Sequence, residues 1–224
     1  MSRERLIEMA REGLEHASAG SIPQADEVMS IPALNYYDPE HWQREMQQVF
    51  GRMPLMLATT AELKNPGDYK ALIAGDVPVL IVRTESGEIR AYVNSCAHRG
   101  AQIMPEGLGN AKRFTCPYHA WSFNHEGDLT AVYSEADFGD VDKGSHGLVP
   151  LKSLETAGLI WVLTDRNSSL DIGTFLCGYD EQLGHFDFSN WHFFDSRRID
   201  GPNWKIAYDG YLDFYHLPIL HRET

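Results

Sequence analysis

Two short stretches, each holding one cysteine and one histidine, constrain this chain more than any other feature. The first runs from Cys96 to His98 and the second from Cys116 to His119, with seventeen residues between them. Zinc is the simplest candidate for such a set, because tetrahedral Cys2His2 sites are common structural sites. Zinc fingers, however, usually pair Cys with Cys and His with His along the chain. Here each stretch offers one of each, as a two-iron cluster needs when one iron takes both sulfurs and the other both nitrogens.

The residues around each pair extend this pattern into a family resemblance. The two segments read CAHRGA at residues 96–101 and CPYHAWSF at residues 116–123. They resemble the ligand loops of Rieske [2Fe–2S] domains, most closely those of ring-hydroxylating Rieske non-haem iron oxygenases, and the resemblance covers roughly residues 39 to 224. It implies that Cys96, His98, Cys116 and His119 hold a [2Fe–2S] cluster. Ala120 departs from the pattern, because the family usually carries Gly after the second histidine.

Composition argues against several other classes of protein. The hydrophobic content of 43% is sufficient for a packed core, and the formal net charge of −13 argues against general binding to nucleic acid or anionic lipid. No apolar run reaches the roughly 18 residues of a membrane span, and the N-terminus is charged and amphipathic rather than an apolar signal sequence. These features predict a cytoplasmic protein with no nucleic-acid or membrane partner. Cys177 lies among apolar neighbours and is predicted to be a small buried side chain.

Hydrophobic periodicity predicts helices first and strands afterwards. Residues 3–17 are predicted to be helical, and a second helix is expected to begin with Asp38 as N-cap and Pro39 in its first turn. The buried face of that second helix is predicted to consist of Trp42, Met46, Val49 and Phe50. Antiparallel strands are expected at residues 69–73, 77–83, 89–94, 114–116, 121–123 and 159–164.

The predicted fold class is α+β, with a small antiparallel β-barrel or sandwich that carries the metal at its tip. Residues 134–150 are expected to form a surface loop. The chain is divided into an N-terminal helical segment at 1–50, a Rieske [2Fe–2S] domain at 51–166, and a linker with the beginning of a catalytic domain at 167–224.

A second group of candidate ligands lies near the C-terminus, in the pattern D-x-x-H-x4-H. Asp213 and His216 are three residues apart, so on a helix both would project from one face. On an unbroken helix His221 would point away from that face, and Pro218 is expected to break the helix and bring His221 back. Two histidines and one carboxylate form the facial triad of mononuclear iron(II) oxygenases.

The same oxygenase family implies roles for this second group. The run Asn203-Trp204-Lys205, followed by an Asp and two histidines, is similar to the start of the family's catalytic domain. The resemblance implies that His216 and His221 bind the mononuclear iron. It also implies that Asp213 links to His119 of a neighbouring subunit. The third ligand, a carboxylate that the family places far downstream, has no residue here, so the chain is expected to be the N-terminal part of a longer protein.

The resemblance implies an oxygenase whose electrons come from NAD(P)H through a reductase, with or without a ferredoxin. The electrons pass from the [2Fe–2S] cluster to a non-haem Fe(II) that activates O2, and a small organic substrate, expected to be aromatic, is hydroxylated. Cross-subunit transfer implies a cyclic oligomer, either a homotrimer or an α3β3 assembly with a β subunit. Two alternatives remain open, an electron-transfer protein with idle C-terminal histidines and a zinc-stabilised binding domain.

Overall fold

The computed structural model describes residues 2–223 and begins with helical elements. Helix α1 (Arg3–Ala19) starts where the Ser2 side chain accepts a hydrogen bond from the Arg5 N–H, and it ends at Gly20, whose φ is 63°. Two short helices follow, α2 (Leu34–Tyr37) and α3 (Pro39–Glu45), and a π-helical turn (Met46–Phe50) continues from α3. Asp38 caps α3 as predicted, because its side chain accepts from the Glu40 N–H.

The predicted buried face of the second helix is wrong. Trp42 is 43% exposed and Val49 is 40% exposed, whereas the buried residue of α3 is Glu45, at 7%. The physical reason is that α3 turns its acidic face inward, where Glu45 accepts hydrogen bonds from residues 204 and 205 far along the chain. An apolar periodicity could not show this arrangement, since it takes no account of distant donors.

Ten antiparallel strands form the centre of the molecule. They are β1 (Leu55–Thr59), β2 (Asp68–Ala74), β3 (Val77–Arg83), β4 (Ile89–Val93), β5 (Gly107–Asn110), β6 (Phe114–Thr115), β7 (Ser122–Phe123), β8 (Leu129–Ala131), β9 (Pro150–Thr156) and β10 (Leu159–Leu163). Seven of them make one sheet in the order β1-β10-β9-β4-β3-β2-β5, and β6, β7 and β8 make a smaller sheet. The predicted α+β class is confirmed, although the sequence pattern missed β1, β5, β8 and β9.

Short helices occupy the connections outside the sheets. They are α4 (Glu135–Phe138), α5 (Ile172–Leu176), α6 (Tyr179–Gly184), α7 (Trp204–Leu212) and α8 (Leu217–Leu220). Cys177 follows α5 in a left-handed conformation and is exposed, so the prediction of a buried side chain is wrong: its place at the helix C-cap turns it to the surface. Within residues 2–223, no helix combines the length and apolar character needed to cross a bilayer.

Strand β3 separates two cores, because its alternate side chains are buried on opposite faces. Val79 and Ile81 pack with side chains of β1 and β10 on one face. On the other face Leu80 and Val82 join a cluster that includes the aromatic rings of the smaller sheet and both Cys96 and Cys116. Both cysteines therefore lie in this second cluster, which is the main core of the molecule.

A partly buried ion pair joins the end of β3 to β9. Arg83 is the last residue of β3 and its side chain is 9% exposed; Glu155, in β9, accepts hydrogen bonds from it at 2.7 and 3.1 Å. The Arg83 guanidinium also donates to the Leu63 and Gly87 carbonyls. Burial by itself raises the pKa of Glu155, but the hydrogen bonds from Arg83 and Thr60 and the Arg83 charge outweigh it and hold that pKa below its ordinary value of 4.5.

We expect Glu155→Gln to lower the free energy of unfolding by about 2 kcal/mol at neutral pH, because it leaves the Arg83 charge without its partner. A lowered pKa stabilises the fold above the ordinary value, so the difference from the wild type should persist above pH 4.5 and shrink as the pH falls below it. Urea unfolding at several pH values measures this difference. The control Glu88→Gln removes an exposed ion pair with Arg90 and should change stability by less than about 0.5 kcal/mol; equal effects of the two variants would contradict the interpretation.

Candidate metal centre

The first ligand loop leaves β4 and turns back within six residues. The Cys96 N–H donates to the Ala101 carbonyl (2.8 Å), and the Gly100 N–H donates to the Cys96 carbonyl (2.9 Å). Gly100 has a φ of 71°, a left-handed conformation that glycine adopts without steric cost. The N–H groups of His98 and Arg99 donate to the Cys96 sulfur. The loop therefore surrounds that sulfur with its own backbone donors.

The second ligand loop joins β6 to β7 and repeats the same backbone pattern. The Cys116 N–H donates to the Trp121 carbonyl (2.8 Å), and the Ala120 N–H donates to the Cys116 carbonyl (2.9 Å). The residue in the left-handed conformation is Ala120, with a φ of 56°. An L-residue pays a steric penalty there that glycine avoids. The departure from the family pattern thus falls on the one position of this loop that favours glycine.

Asn94 positions the first loop, and sequence reasoning missed it. This residue is 1% exposed. Its Oδ1 accepts from the Ile103 and Met104 N–H groups at 3.3 and 3.0 Å, and its Nδ2 donates to the Met104 carbonyl at 2.7 Å. An Asn directly after a strand is a sequence signal for such a turn, because its side chain competes for nearby backbone groups.

The two loops bring together all four predicted cluster ligands. Cys96 and Cys116 are 4% and 2% exposed, and the two thiols lie within hydrogen-bonding distance of one another. The rings of His98 and His119 have centroids 4.7 Å apart. The Arg99 guanidinium of the first loop lies 5.6 Å above the ring of Tyr118 in the second.

The electrostatics of this site favour uncharged donors. Burial raises the pKa of the Cys96 thiol, and the hydrogen bond and charge of Cys116 raise it further, while the backbone donors of the loop act in the opposite direction. Burial also lowers the pKa of His98, and the charges of His119 and Arg99 add to this effect. Such thiols need a metal to become thiolate ligands, since the thiolate is the form that coordinates.

Aromatic side chains from the second ligand loop and from α4 pack against His98. The indole of Trp121 stacks on the His98 ring with centroids 4.8 Å apart and planes at 10°. Phe138, from α4, contacts both rings edge-on at 5.7 and 6.2 Å. His146 meets Trp121 at 5.7 Å. The surface loop predicted at 134–150 thus packs one of its aromatic side chains against a candidate ligand.

The donor set fits a two-iron cluster better than a single ion. Among residues 2–223, no group of three or more His, Cys, Asp or Glu side chains is arranged to hold one metal ion. A tetrahedral zinc site needs four donors around one ion, whereas a Rieske cluster takes two sulfurs on one iron and two nitrogens on the other. Within the same residues the buried Nδ1 of His98 lacks a hydrogen-bond partner. Coordination would satisfy that atom.

The second group of candidate ligands lies on a broken helix, which corrects one expectation. Helix α7 ends at Leu212, Asp213 follows in an extended conformation, and His216 is the N-cap of α8. The prediction that Asp213 and His216 share one helix face is therefore wrong. The break lies before His216 and not at Pro218, which occupies the first turn of α8, where its missing N–H is tolerated.

The broken helix nevertheless brings the three predicted residues close together. The rings of His216 and His221 have centroids 5.5 Å apart, across the single turn of α8. The Asp213 carboxylate lies 3.7 Å from the Nδ1 atom of His216. The side chain of Asp213 is 56% exposed and that of His216 is 29% exposed. This group is thus compact but lies at the surface of the described chain.

Comparison with known families gives two matches, and each spans one of the two groups of candidate residues. The family model described as a Rieske [2Fe–2S] domain matches residues 53–150. The model described as the catalytic domain of the ring hydroxylating alpha subunit matches residues 188–224.

Individual relatives and solved structures agree with the two family models. The chain is 30% identical to the glycine betaine monooxygenase oxygenase subunit of Chromohalobacter salexigens, over 92% of this chain and 46% of that protein. It is 32% identical to the anthranilate 1,2-dioxygenase large subunit of Burkholderia cepacia, over 88% of this chain and 48% of that one. Its fold matches a quaternary ammonium Rieske monooxygenase solved with L-carnitine (TM-score 0.77, 28% identity, 86% of this chain and 55% of that chain). Naphthalene 1,2-dioxygenase from Rhodococcus, bound to indole, has the same TM-score and identity, over 99% and 50% of the two chains. The chain spans about half the length of the curated relatives it matches.

We expect Ala120→Gly to raise the free energy of unfolding by about 0.5–1 kcal/mol, because glycine removes the penalty of a positive φ. Ala120→Val should lower both stability and iron content, since a β-branched residue fits that conformation poorly. Urea unfolding, with iron and sulfide counted per chain, measures both effects. Ala97→Gly is the matched control in the first loop, outside the positive-φ positions, and should lose about 0.4–1 kcal/mol; a loss of the same size for Ala120→Gly would refute the strain at Ala120.

Proposed function

Because this chain belongs to the Rieske non-haem iron oxygenases, of whose α subunit it carries the Rieske domain and the start of the catalytic domain, we propose that it forms the N-terminal part of a catalytic subunit that hydroxylates a small organic substrate. The observation that carries the proposal is the pair of matching loops, which place two buried thiols and two imidazoles in one site. The division of the chain at residues 50 and 166 is part of this proposal.

In this proposal each of the two groups holds its own metal centre. Cys96, Cys116, His98 and His119 hold the [2Fe–2S] cluster, which supplies one-electron transfer, while His216 and His221 provide two ligands for a mononuclear iron(II), which supplies the activation of O2. The backbone donors around Cys96 stabilise a thiolate, and the stacked Trp121 excludes water from His98. Both effects favour a stable, shielded ligand set.

Partners follow from the same proposal. Electrons come from NAD(P)H through a reductase, with or without a ferredoxin. The chain assembles as a homotrimer or as α3β3 with a β subunit, and Asp213 reaches His119 of the neighbouring copy. Support for this link is that the Asp213 carboxylate is half-exposed and that His119 is only partly covered. A cytoplasmic location remains a prediction.

Two substrate classes fit the names of the relatives. Anthranilate and benzene dioxygenases support the aromatic substrate expected from the sequence. The glycine betaine and quaternary ammonium monooxygenases support a quaternary ammonium substrate as the second candidate. Uptake of O2 and product analysis with one compound of each class would distinguish them. Neither mono- nor dioxygenation is favoured by the described residues.

The experiment that tests the proposal is anaerobic purification with iron and acid-labile sulfide counted. The protein should be coloured and should give an EPR signal after reduction with dithionite. A colourless protein that holds zinc and lacks sulfide would establish the zinc-stabilised alternative. A Rieske signal without mononuclear iron, in the longest natural form of the protein, would establish the electron-transfer alternative.

We expect His119→Cys to lower the midpoint potential of the [2Fe–2S] cluster by on the order of 100 mV or more, because a thiolate in place of a neutral imidazole adds negative charge to the cluster. Redox titration followed by EPR measures the change. The exposed His192→Cys serves as control and should leave the potential unchanged. An unchanged midpoint in His119→Cys would contradict the ligand assignment.

In the full-length protein, we expect Asp213→Ala to keep the iron and sulfide content and to lower turnover by at least roughly tenfold, because the carboxylate no longer reaches the neighbouring imidazole. Steady-state O2 consumption with the reductase present measures the loss. Asp195→Ala, at an exposed carboxylate outside both groups, is the control. Normal turnover in Asp213→Ala would reject its proposed role.

A further inference from the structure

Helix α7, which leads into the candidate iron ligands, is held by the N-terminal helices through a buried carboxylate. Glu45, at the end of α3, accepts hydrogen bonds from the Trp204 Nε1 (2.9 Å) and the Lys205 Nζ (2.5 Å) in the first turn of α7. His41, one turn earlier in α3, contributes its Nε2 at 3.2 Å. These contacts join residues about 160 positions apart in the chain.

The charge state of Glu45 agrees with this arrangement. Burial by itself raises the pKa of Glu45, but the hydrogen bonds from Lys205 and Trp204 and the charges of Lys205 and His41 outweigh it and lower that pKa below 4.5. The group is therefore a carboxylate at neutral pH. A charged acceptor that takes hydrogen bonds from both Trp204 and Lys205 fixes the direction in which α7 leaves the molecule.

A second contact holds α7 one turn further on. The Tyr36 hydroxyl, in α2, donates to the Asp209 carboxylate at 2.8 Å, and the Asn203 side-chain amide donates to the Tyr36 carbonyl at 2.8 Å. The backbone carbonyl of Asp209 in turn accepts from the Asp213 N–H at 2.8 Å. Asp209 thus links Tyr36 to Asp213, which caps the C-terminal end of α7 three residues before His216.

We propose that Glu45 and Tyr36 are positioning residues for the mononuclear iron site: the N-terminal helices hold α7 so that the segment from Asp213 to His221 can bind iron. This inference rests on the proposed function. Neither residue contacts a candidate ligand of either group in the contacts described above, so both act through the placement of α7. The [2Fe–2S] ligands lie on loops of the two sheets, and their site is expected to be unaffected by these residues.

The test uses Glu45→Gln and Tyr36→Phe in the full natural protein. Glu45→Gln removes the charge that Lys205 and Trp204 share, and it should weaken Fe(II) binding by roughly three- to tenfold. Tyr36→Phe removes one partly exposed hydrogen bond and should weaken Fe(II) binding by roughly two- to threefold. Both variants should alter the line shape of the EPR signal that nitric oxide gives with the mononuclear iron, a readout of ligand geometry that does not depend on turnover.

The matched controls are Glu40→Gln in α3 and Tyr37→Phe in α2, both exposed neighbours of the residues tested. They should keep the wild-type iron affinity and nitric oxide signal. Sulfide content and the signal of the reduced cluster should stay unchanged in all four variants. The melting temperature should fall only in Glu45→Gln, which leaves the Lys205 charge without its partner.

Each other outcome overturns part of the argument. Wild-type affinity and line shape in both Glu45→Gln and Tyr36→Phe would show that the contacts do not position the site. A parallel loss of iron, sulfide and melting temperature would show that they only stabilise the fold. No nitric oxide signal in the wild-type protein would overturn the proposed function and this inference together.

Discussion

The candidate cluster site depends on one repeated backbone arrangement. In each ligand loop a cysteine N–H donates to the carbonyl five residues later, and its own carbonyl accepts from the residue four positions on. In both loops the residue four positions after the cysteine has a positive φ, and this residue is Gly100 in the first loop and Ala120 in the second. Each loop thereby places one cysteine in the core and one imidazole beside it. Because the two loops pack together, the site contains two thiols and two imidazoles.

Local spacing predicted which side chains the two loops bring together, whereas long-range contacts hid much of the rest. Cys96 and His98 could be proposed as candidate ligands from sequence because they lie within three residues of one another. The strand at 77–83 was equally clear, since its apolar run is buried on both faces. By contrast, the strand at 150–156 starts with a proline and alternates with Lys, Ser and Glu, so its pattern did not stand out from that of the preceding loop.

The wrong expectations share a physical cause. A helical pattern assumes that apolar side chains face inward, but Glu45 faces inward because its donors, Trp204 and Lys205, arrive from the other end of the chain. The break before His216 has the same character, because the Asp213 N–H still bonds to Asp209 while its backbone has left the helix. A pattern of residue types contains neither fact: the first is set by contacts that are distant in sequence, and the second by the backbone conformation of the single residue Asp213.

The two groups of ligands differ in how firmly the described chain holds them. The cysteines lie in the main core, where close packing on several sides leaves little freedom. Asp213 lies in the extended segment before α8, and His216 and His221 flank its single turn; all three are at the surface, next to exposed apolar side chains such as Tyr215, at 91%, and Ile219, at 82%. Their geometry therefore depends on the few polar contacts that fix α7.

The two imidazoles of the candidate cluster site differ in the aromatic side chains that pack against them. His98 lies beneath Trp121 and Phe138, and burial lowers its pKa. His119 is packed mainly against its neighbour Tyr118, which is itself exposed. The described ring contacts place Trp121 and Phe138 against His98, whereas His119 contacts Tyr118 and His98. Ring packing therefore restrains the two imidazoles differently, because His98 is held from α4 as well as from the loop that carries Trp121.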